Sequence, residues 1–208
     1  MPRPRSLTDT AIATAALAVI DRAGPDALSM RTVAKELGVG TMSLYRYVPD
    51  RGTVERLVVD LVLDGVDITP PPTPDWRAAL TELIRRCRAA VRAHLAVVPL
   101  VQAHRHHSPG VLRWAEAMLA VLTDAGFAGR HRVVVFRAVL SYVIGALENE
   151  YRAPLAGSGT AAMAALPDRR HPFLAETART AATIGPDEEF EGGLALLLAG
   201  IAATIDHS

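Results

Sequence analysis

Apolar residues recur along this chain three and four apart, the spacing of a helix with one buried face, and no stretch makes a credible strand. Across Leu7–Ala23, the residues Ile12, Ala15, Ala16, Val19 and Ala23 fall on one face, and Gly24-Pro25 stops that helix. Ser29 can cap the next helix by accepting from a free backbone N–H, and that helix ends at Gly38. A short third helix is expected over Thr41–Tyr47, stopped by Pro49. Asp50 can then cap a fourth helix running to about Val66. The run Thr-Pro-Pro-Pro-Thr-Pro at 69–74 cannot continue a helix, because each proline lacks an N–H and restricts the residue before it. The expected division is therefore a small helical domain over 1–66, a proline-rich linker over 67–74 and a larger helical domain over 75–208.

In the larger domain, Asp75 can cap a long helix through His94, with Pro99 kinking or ending it. Ser108-Pro109 is a favourable helix start, and Gly126 ends that helix. Another helix spans about Arg130 to Arg152, closed by Pro154; the β-branched Val133, Val134 and Val135 sit within its longer helical period. Ala156–Arg170 reads as a loop with a short helical piece. Pro172–Ile184 and about Asp187–Asp206 complete an all-α chain of about nine or ten helices.

Composition narrows the function classes only slightly. Of 208 residues half are hydrophobic and 5% aromatic, a mix that favours helices over strands. Lysine plus arginine and aspartate plus glutamate both number 22, so bulk charge makes no case for nucleic acid. The segment from Ser29 to Arg51 sets Arg31, Lys35, Arg46 and Arg51 against Glu36 and Asp50. A single cysteine, Cys87, excludes a disulfide within the chain and a multi-cysteine zinc site, and fits a reducing, cytoplasmic setting. Met1–Arg5 followed by the apolar run Ala11–Ile20 superficially resembles a secretory signal, but Thr8, Asp9, Thr10 and Thr14 punctuate it. Leu194–Ile205 is too short to span a bilayer, so no membrane role is expected.

The informative window is 32–48, Thr-Val-Ala-Lys-Glu-Leu-Gly-Val-Gly-Thr-Met-Ser-Leu-Tyr-Arg-Tyr-Val. Val33, Leu37, Val39, Leu44 and Val48 can turn inward, Ala34 is small where two helices would cross, and Gly38 supplies a left-handed turn. These are the requirements of a helix-turn-helix, in which the second helix presents its N-terminal residues to the major groove. The arrangement resembles the TetR family over Leu7–Val66: a long first helix, the Ser29-x-Arg31 entry, Ala34, Leu37-Gly38-Val39, then Leu44-Tyr45-Arg46-Tyr47-Val48 and a basic residue. Asp75-Trp76-Arg77, Leu122–Phe127 and Phe190–Ile201 resemble that family's ligand-binding and dimerisation domain more loosely.

The resemblance implies a DNA-binding transcriptional regulator that is not an enzyme and needs no cofactor: a repressor acting as a homodimer on a palindromic double-stranded operator and released by a small-molecule effector. It assigns Thr41, Met42 and Ser43 to phosphates or base edges, Tyr45 and Tyr47 to phosphate contact and packing, and Arg46 to a guanine or a phosphate. Arg51 stands where the family usually has lysine and would grip the DNA backbone, as would Ser29 and Arg31. Arg3 and Arg5 would form a minor-groove arm. Gly40 and Gly52 depart from the usual pattern and weaken both helix starts, and Met42 is unusual at its position.

The dimer interface implied by the resemblance is formed by helices 130–152 and 187–206. There Gly192, Gly193, Ala195, Ala199, Gly200, Ala202 and Ala203 permit close approach, and Leu194, Leu197, Leu198 and Ile201 fill the seam; packing within one subunit is the alternative. Val98, Val101, Trp114, Met118, Leu122, Phe136, Leu140 and Val143 are candidate walls of an apolar effector pocket, each equally an ordinary core residue. Arg85, Arg86, Arg88 and Arg92 read as a solvated face; one turned inward would favour a carboxylate on the effector. The competing reading is a helical metal-dependent enzyme using His94, His104 and His107, with His106, Glu148 or Glu150 nearby. Against it, the chain has no nucleophile motif, Gly-rich phosphate loop or HExxH, and surface histidines without metal are the expectation.

Overall fold

Five helix starts among the described residues are set by side chains that accept from otherwise orphaned backbone N–H groups. The structure, a computed structural model, describes residues 7–205, so the Arg3 and Arg5 arm lies outside the described residues. The Thr8 hydroxyl accepts from Ala11 N–H at 3.2 Å to open α1 (Asp9–Ala23), and Gly24 closes it at φ +80°. α2 (Met30–Glu36) opens on a reciprocal box: Ser29 Oγ accepts from Thr32 N–H at 3.1 Å, and Thr32 Oγ1 accepts from Ser29 N–H at 2.9 Å. α3 (Thr41–Leu44) is shorter than expected. Its next residues, Tyr45–Tyr47, form a turn in which Tyr47 N–H reaches the Leu44 carbonyl at 2.9 Å. Pro49 disfavours the helical region at Val48 and so prevents elongation. Asp50 caps α4 (Arg51–Asp64) through Thr53 N–H at 2.7 Å.

Asp75 caps α5 (Trp76–Arg92) through Arg77 N–H at 3.0 Å. Pro99 neither kinks nor ends this helix. A 3-10 turn at Leu95–Val97 intervenes, and Pro99 lies in the first turn of a separate α6 (Val98–His104), where its missing N–H costs nothing. Then follow α7 (Pro109–Asp124), capped by Ser108, α8 (Gly129–Arg152), α9 (Ser158–Ala164), α10 (Pro172–Ala181) and α11 (Pro186–Ile205). Among the described residues these are eleven α-helices without a strand, and none is long and apolar enough to cross a membrane.

Packing groups the chain into two compact units, Met1–Ala125 and Gly126–Ser208. In the first, α1 packs on α4, and α4 in turn packs against α5, α6 and α7. Ile12, Ala16, Val19 and Ile20 of α1 and Val54, Val58 and Val59 of α4 are buried in its core, as are Val33, Leu44 and Val48. Leu37 and Val39 are only half-buried. A Cβ added at Gly110 in α7 would lie 2.8 Å from Leu63 Cβ in α4, so the two helices touch at the glycine. Trp114 of α7 donates its indole N–H to the Leu83 carbonyl of α5 at 2.9 Å. The start of the proline-rich segment is held by α5: Arg86 donates to the Asp67 carboxylate at 2.9 Å and the Thr69 carbonyl at 2.8 Å.

In the second unit α8 and α11 pack together, and α9 pairs with α10. α8 buries Val135, Val139, Val143 and Leu147; α11 buries Phe190, Leu194, Leu198 and Ile201. Leu194, Leu198 and Ile201, expected in a seam between subunits, are therefore already covered within one chain. What α11 leaves open is the opposite face, with Gly192, Ala195, Leu196, Ala199, Gly200 and Ala203. Tyr142 of α8 donates to the Phe190 carbonyl at 2.6 Å across Gly193, where a Cβ would strike its hydroxyl.

Candidate nucleic-acid interface

The turn between α2 and α3 is built by Gly38. At φ +68° it lets its own N–H reach the Lys35 carbonyl at 3.1 Å and Val39 N–H reach the Ala34 carbonyl at 2.9 Å, the paired bonds of a left-handed helix end. Ala34, 1% exposed, makes room for the crossing. Leu44 and Val48 are buried and anchor α3, which fixes what faces outward.

That outward surface carries several large exposed side chains. Met42 is 79% exposed, and Tyr45 and Tyr47 are also exposed, next to a solvent-facing Arg46. Thr41 and Ser43 are half-buried at the start of the same turn. Arg31 projects from α2 into solvent. Ser29 is half-buried, and its hydroxyl already caps α2. Three apolar or aromatic side chains and a guanidinium thus share one short stretch of surface, able to meet base edges, thymine methyl groups and phosphates.

Arg51 is held in place. Its Nε donates to Glu55 Oε1 at 2.7 Å and one terminal nitrogen donates to the Pro25 carbonyl at 3.2 Å. Glu55 also meets His104 Nε2 at 2.9 Å. Burial disfavours the charged form of Glu55, but hydrogen bonds from His104 and Arg51 outweigh it and hold the carboxyl below its ordinary range. Asp50 is likewise depressed, chiefly by the Thr53 N–H that it caps. Sequence reasoning missed Glu55. The four-residue spacing from Arg51 signals the ion pair, but nothing local signals His104, which comes from 49 residues away.

The four candidate histidines do not cluster together. His94 pairs with Asp21 at 2.8 Å and His104 with Glu55, each joining separate helices, while His106 and His107 are exposed. Among the described residues no group of three or more His, Cys, Asp or Glu is arranged to hold an ion. Cys87 is buried and its thiol is pushed up to about 12 by desolvation, which makes it a poor nucleophile.

The candidate effector residues divide between the two units: Val98, Val101, Trp114, Met118 and Leu122 in the first, Phe136, Leu140 and Val143 in the second. Val98, Trp114, Met118, Leu122 and Val143 are buried, while Val101, Phe136 and Leu140 are half-buried. A separate cleft of about 380 Å³ in the second unit is lined by Tyr142, Gly145, Asn149, Glu150, Glu189 and Phe190, none of them among those candidates. The arginine face of α5 is not uniformly solvated, since Arg88 lies on the buried stripe at 6% exposure. No buried side-chain nitrogen or oxygen among the described residues lacks a hydrogen-bond partner, so the inward turn of Arg88 does not leave an unmet demand for an effector carboxylate.

Residues 12–51 match the profile "Bacterial regulatory proteins, tetR family", and residues 69–205 match "Tetracyclin repressor-like, C-terminal domain". The chain is 31% identical over 224 aligned residues to the HTH-type transcriptional repressor DrrR1 of Streptomyces coeruleorubidus, covering 98% of this chain and 80% of that one. Its fold superposes on a possible TetR family transcriptional regulator from Streptomyces coelicolor A3(2) with TM-score 0.85 at 27% identity, covering 95% of this chain and 100% of that one. ActR from Streptomyces coelicolor, crystallised with actinorhodin, superposes with TM-score 0.79 at 26% identity, covering 96% and 98% of the two chains. With the left-handed turn at Gly38, the buried Leu44 and Val48, and the exposed Met42–Tyr47 surface all in place, the chain is a DNA-binding transcriptional regulator and belongs to the TetR family.

Proposed function

We propose that this regulator binds a two-fold DNA operator as a homodimer in the cytoplasm, represses transcription there, and is released by a small-molecule effector. The observation that carries the reading is the concentration of Met42, Tyr45, Arg46 and Tyr47 on the exposed side of a helix-turn-helix whose other side is buried. Thr41, Met42 and Ser43 contact base edges or phosphates. Arg46 reads a guanine or grips a phosphate, and Tyr45 and Tyr47 contact the backbone. Ser29, Arg31 and Arg51 hold the flanking phosphates. Repression is supported by the relative DrrR1, described as a repressor. Release by a small molecule is supported by the ActR complex with actinorhodin. The functional division falls at the proline-rich segment, 1–66 for DNA and 75–208 for effector and dimer.

Dimerisation uses α8 and the open face of α11. Val133, Val134 and Leu196 are exposed on these two helices, beside glycines and alanines that permit close approach. For release, the effector must bind more tightly to a conformation whose two recognition surfaces no longer match the groove spacing. The test is a mobility shift of the full-length protein on fragments from its own upstream region in excess nonspecific DNA. A competitor-resistant band that small molecules such as actinorhodin or tetracycline dissolve supports the reading. If no fragment binds and none is recovered from a random pool, the reading is wrong.

A further inference from the structure

Four carboxylates along α1 and α4 reach into the segment that runs from the end of α5 into α7. Asp21 meets His94 at 2.8 Å, Glu55 meets His104 at 2.9 Å, Asp60 accepts from Ser108 Oγ at 2.5 Å, and Asp64 meets Arg113 at 2.9 Å. Only one of these rungs continues toward the surface assigned to DNA. Glu55 uses its second oxygen for Arg51, and Arg51 reaches on to the Pro25 carbonyl between α1 and α2. The Glu55 and His104 side chains are 17% and 16% exposed, so water competes weakly for this contact.

We propose that Glu55 is the positioning residue for the Arg51 phosphate contact, and that His104 sets Glu55 from its other oxygen. This rests on the proposed role of Arg51 in gripping the operator backbone. A guanidinium has five N–H groups in a rigid fork. Two are committed to Glu55 and the Pro25 carbonyl, which fixes the plane of the fork and leaves the other N–H groups for a phosphate. Without His104 the carboxylate loses the partner that fixes the oxygen not used by Arg51. It then swings on its own side-chain torsions and takes Arg51 with it.

The charged groups that act on Glu55 are Arg51 of its own helix and His104 of α6. Arg56 is turned to Thr53 Oγ1 at 2.8 Å and Arg105 to the Gln102 carbonyl at 2.8 Å, which leaves Glu55 to Arg51 and His104.

The test is the salt dependence of operator binding by the full-length protein, on a duplex recovered from a random pool. Removing one phosphate-binding cation makes the slope of log affinity against log salt shallower by about 0.9. Arg51→Ala is expected to flatten the slope by that amount in each half-site. Glu55→Ala and His104→Ala are expected to match it, with no further change when either is combined with Arg51→Ala. His104→Gln, which keeps a donor, and Glu55→Gln, which keeps an acceptor, are expected to restore part of the slope; they also separate positioning from a folding defect. If Glu55→Ala binds as tightly as wild type or tighter, as simple removal of a negative charge near DNA would give, the positioning role is overturned. If His104→Ala leaves slope and affinity unchanged, the role of His104 in setting Glu55 is overturned. An unchanged slope in Arg51→Ala removes the premise itself, while operator binding by the other residues of the proposed interface stands.

Discussion

At the residue scale, Gly38 shows how one backbone angle places the recognition surface. At φ +68° a side chain is strained even though the space around Gly38 is open. Gly38→Ala is therefore expected to cost about 1–2 kcal/mol through backbone strain alone. Chemical denaturation checks this, with lower operator affinity at unchanged helical content near neutral pH. The position was legible in the sequence because the demand is local: a glycine between two apolar stretches. So was the Ser29 cap, although the matching half of that box, Thr32, was not. Glu55 and His104 were illegible together, since their meeting depends on α4 packing against α6. The inward turn of Arg88 was equally hidden among four arginines on one helix, because only the packed core decides which of them is enclosed.

At the element scale, helix ends agree with the sequence reading to within a few residues, and the disagreements have local causes. α3 gives way after Leu44 to a turn over Tyr45–Tyr47, in which Tyr47 N–H bonds the Leu44 carbonyl, and Pro49 keeps Val48 from continuing a helix. Pro99 begins a helix instead of ending one because a 3-10 turn has already rotated the chain. The packing of α4 on α7 gives a sharper prediction. Gly110→Ala puts a methyl group 2.8 Å from Leu63 Cβ, and overpacking of this kind costs about 1–3 kcal/mol. Thermal unfolding measures the loss, and unchanged stability would mean the helices part easily there. The start of α4 gives a pH dependence. Because the Asp50 carboxyl is lowered in the folded state, its stabilising contribution is complete above the ordinary carboxylate range and is lost as pH falls through the depressed value. Acid titration of unfolding should show a shallower loss of stability in Asp50→Asn than in wild type.

At the scale of the whole molecule, the proline-rich segment and the packing of the helices mark different divisions. The prolines separate stretches of sequence. Packing joins α4 to α5, α6 and α7, so that helices on both sides of the prolines share one compact unit. Sequence periodicity cannot reveal this, because it gives the face of a helix but not the partner. The same limit explains the seam of α11, where Leu194, Leu198 and Ile201 proved to be interior and Leu196 open. Leu196→Glu, alone or with Val134→Glu, is accordingly expected to yield a folded monomer by light scattering that no longer binds a two-fold operator. A dimer that tolerates both charges would place the interface elsewhere.

Repression, release and dimerisation all presuppose that the surface around α3 reads DNA. The most direct measurement is the affinity of wild type, Arg46→Ala and Tyr45→Ala for one selected duplex, with an unrelated duplex of equal length as reference. Arg46→Ala is expected to lose about 1–3 kcal/mol on the selected duplex, with little change on the unrelated one if the arginine reads a base. Tyr45→Ala should weaken both. Wild-type affinity in both variants, at unchanged helical content, would contradict DNA reading by this surface.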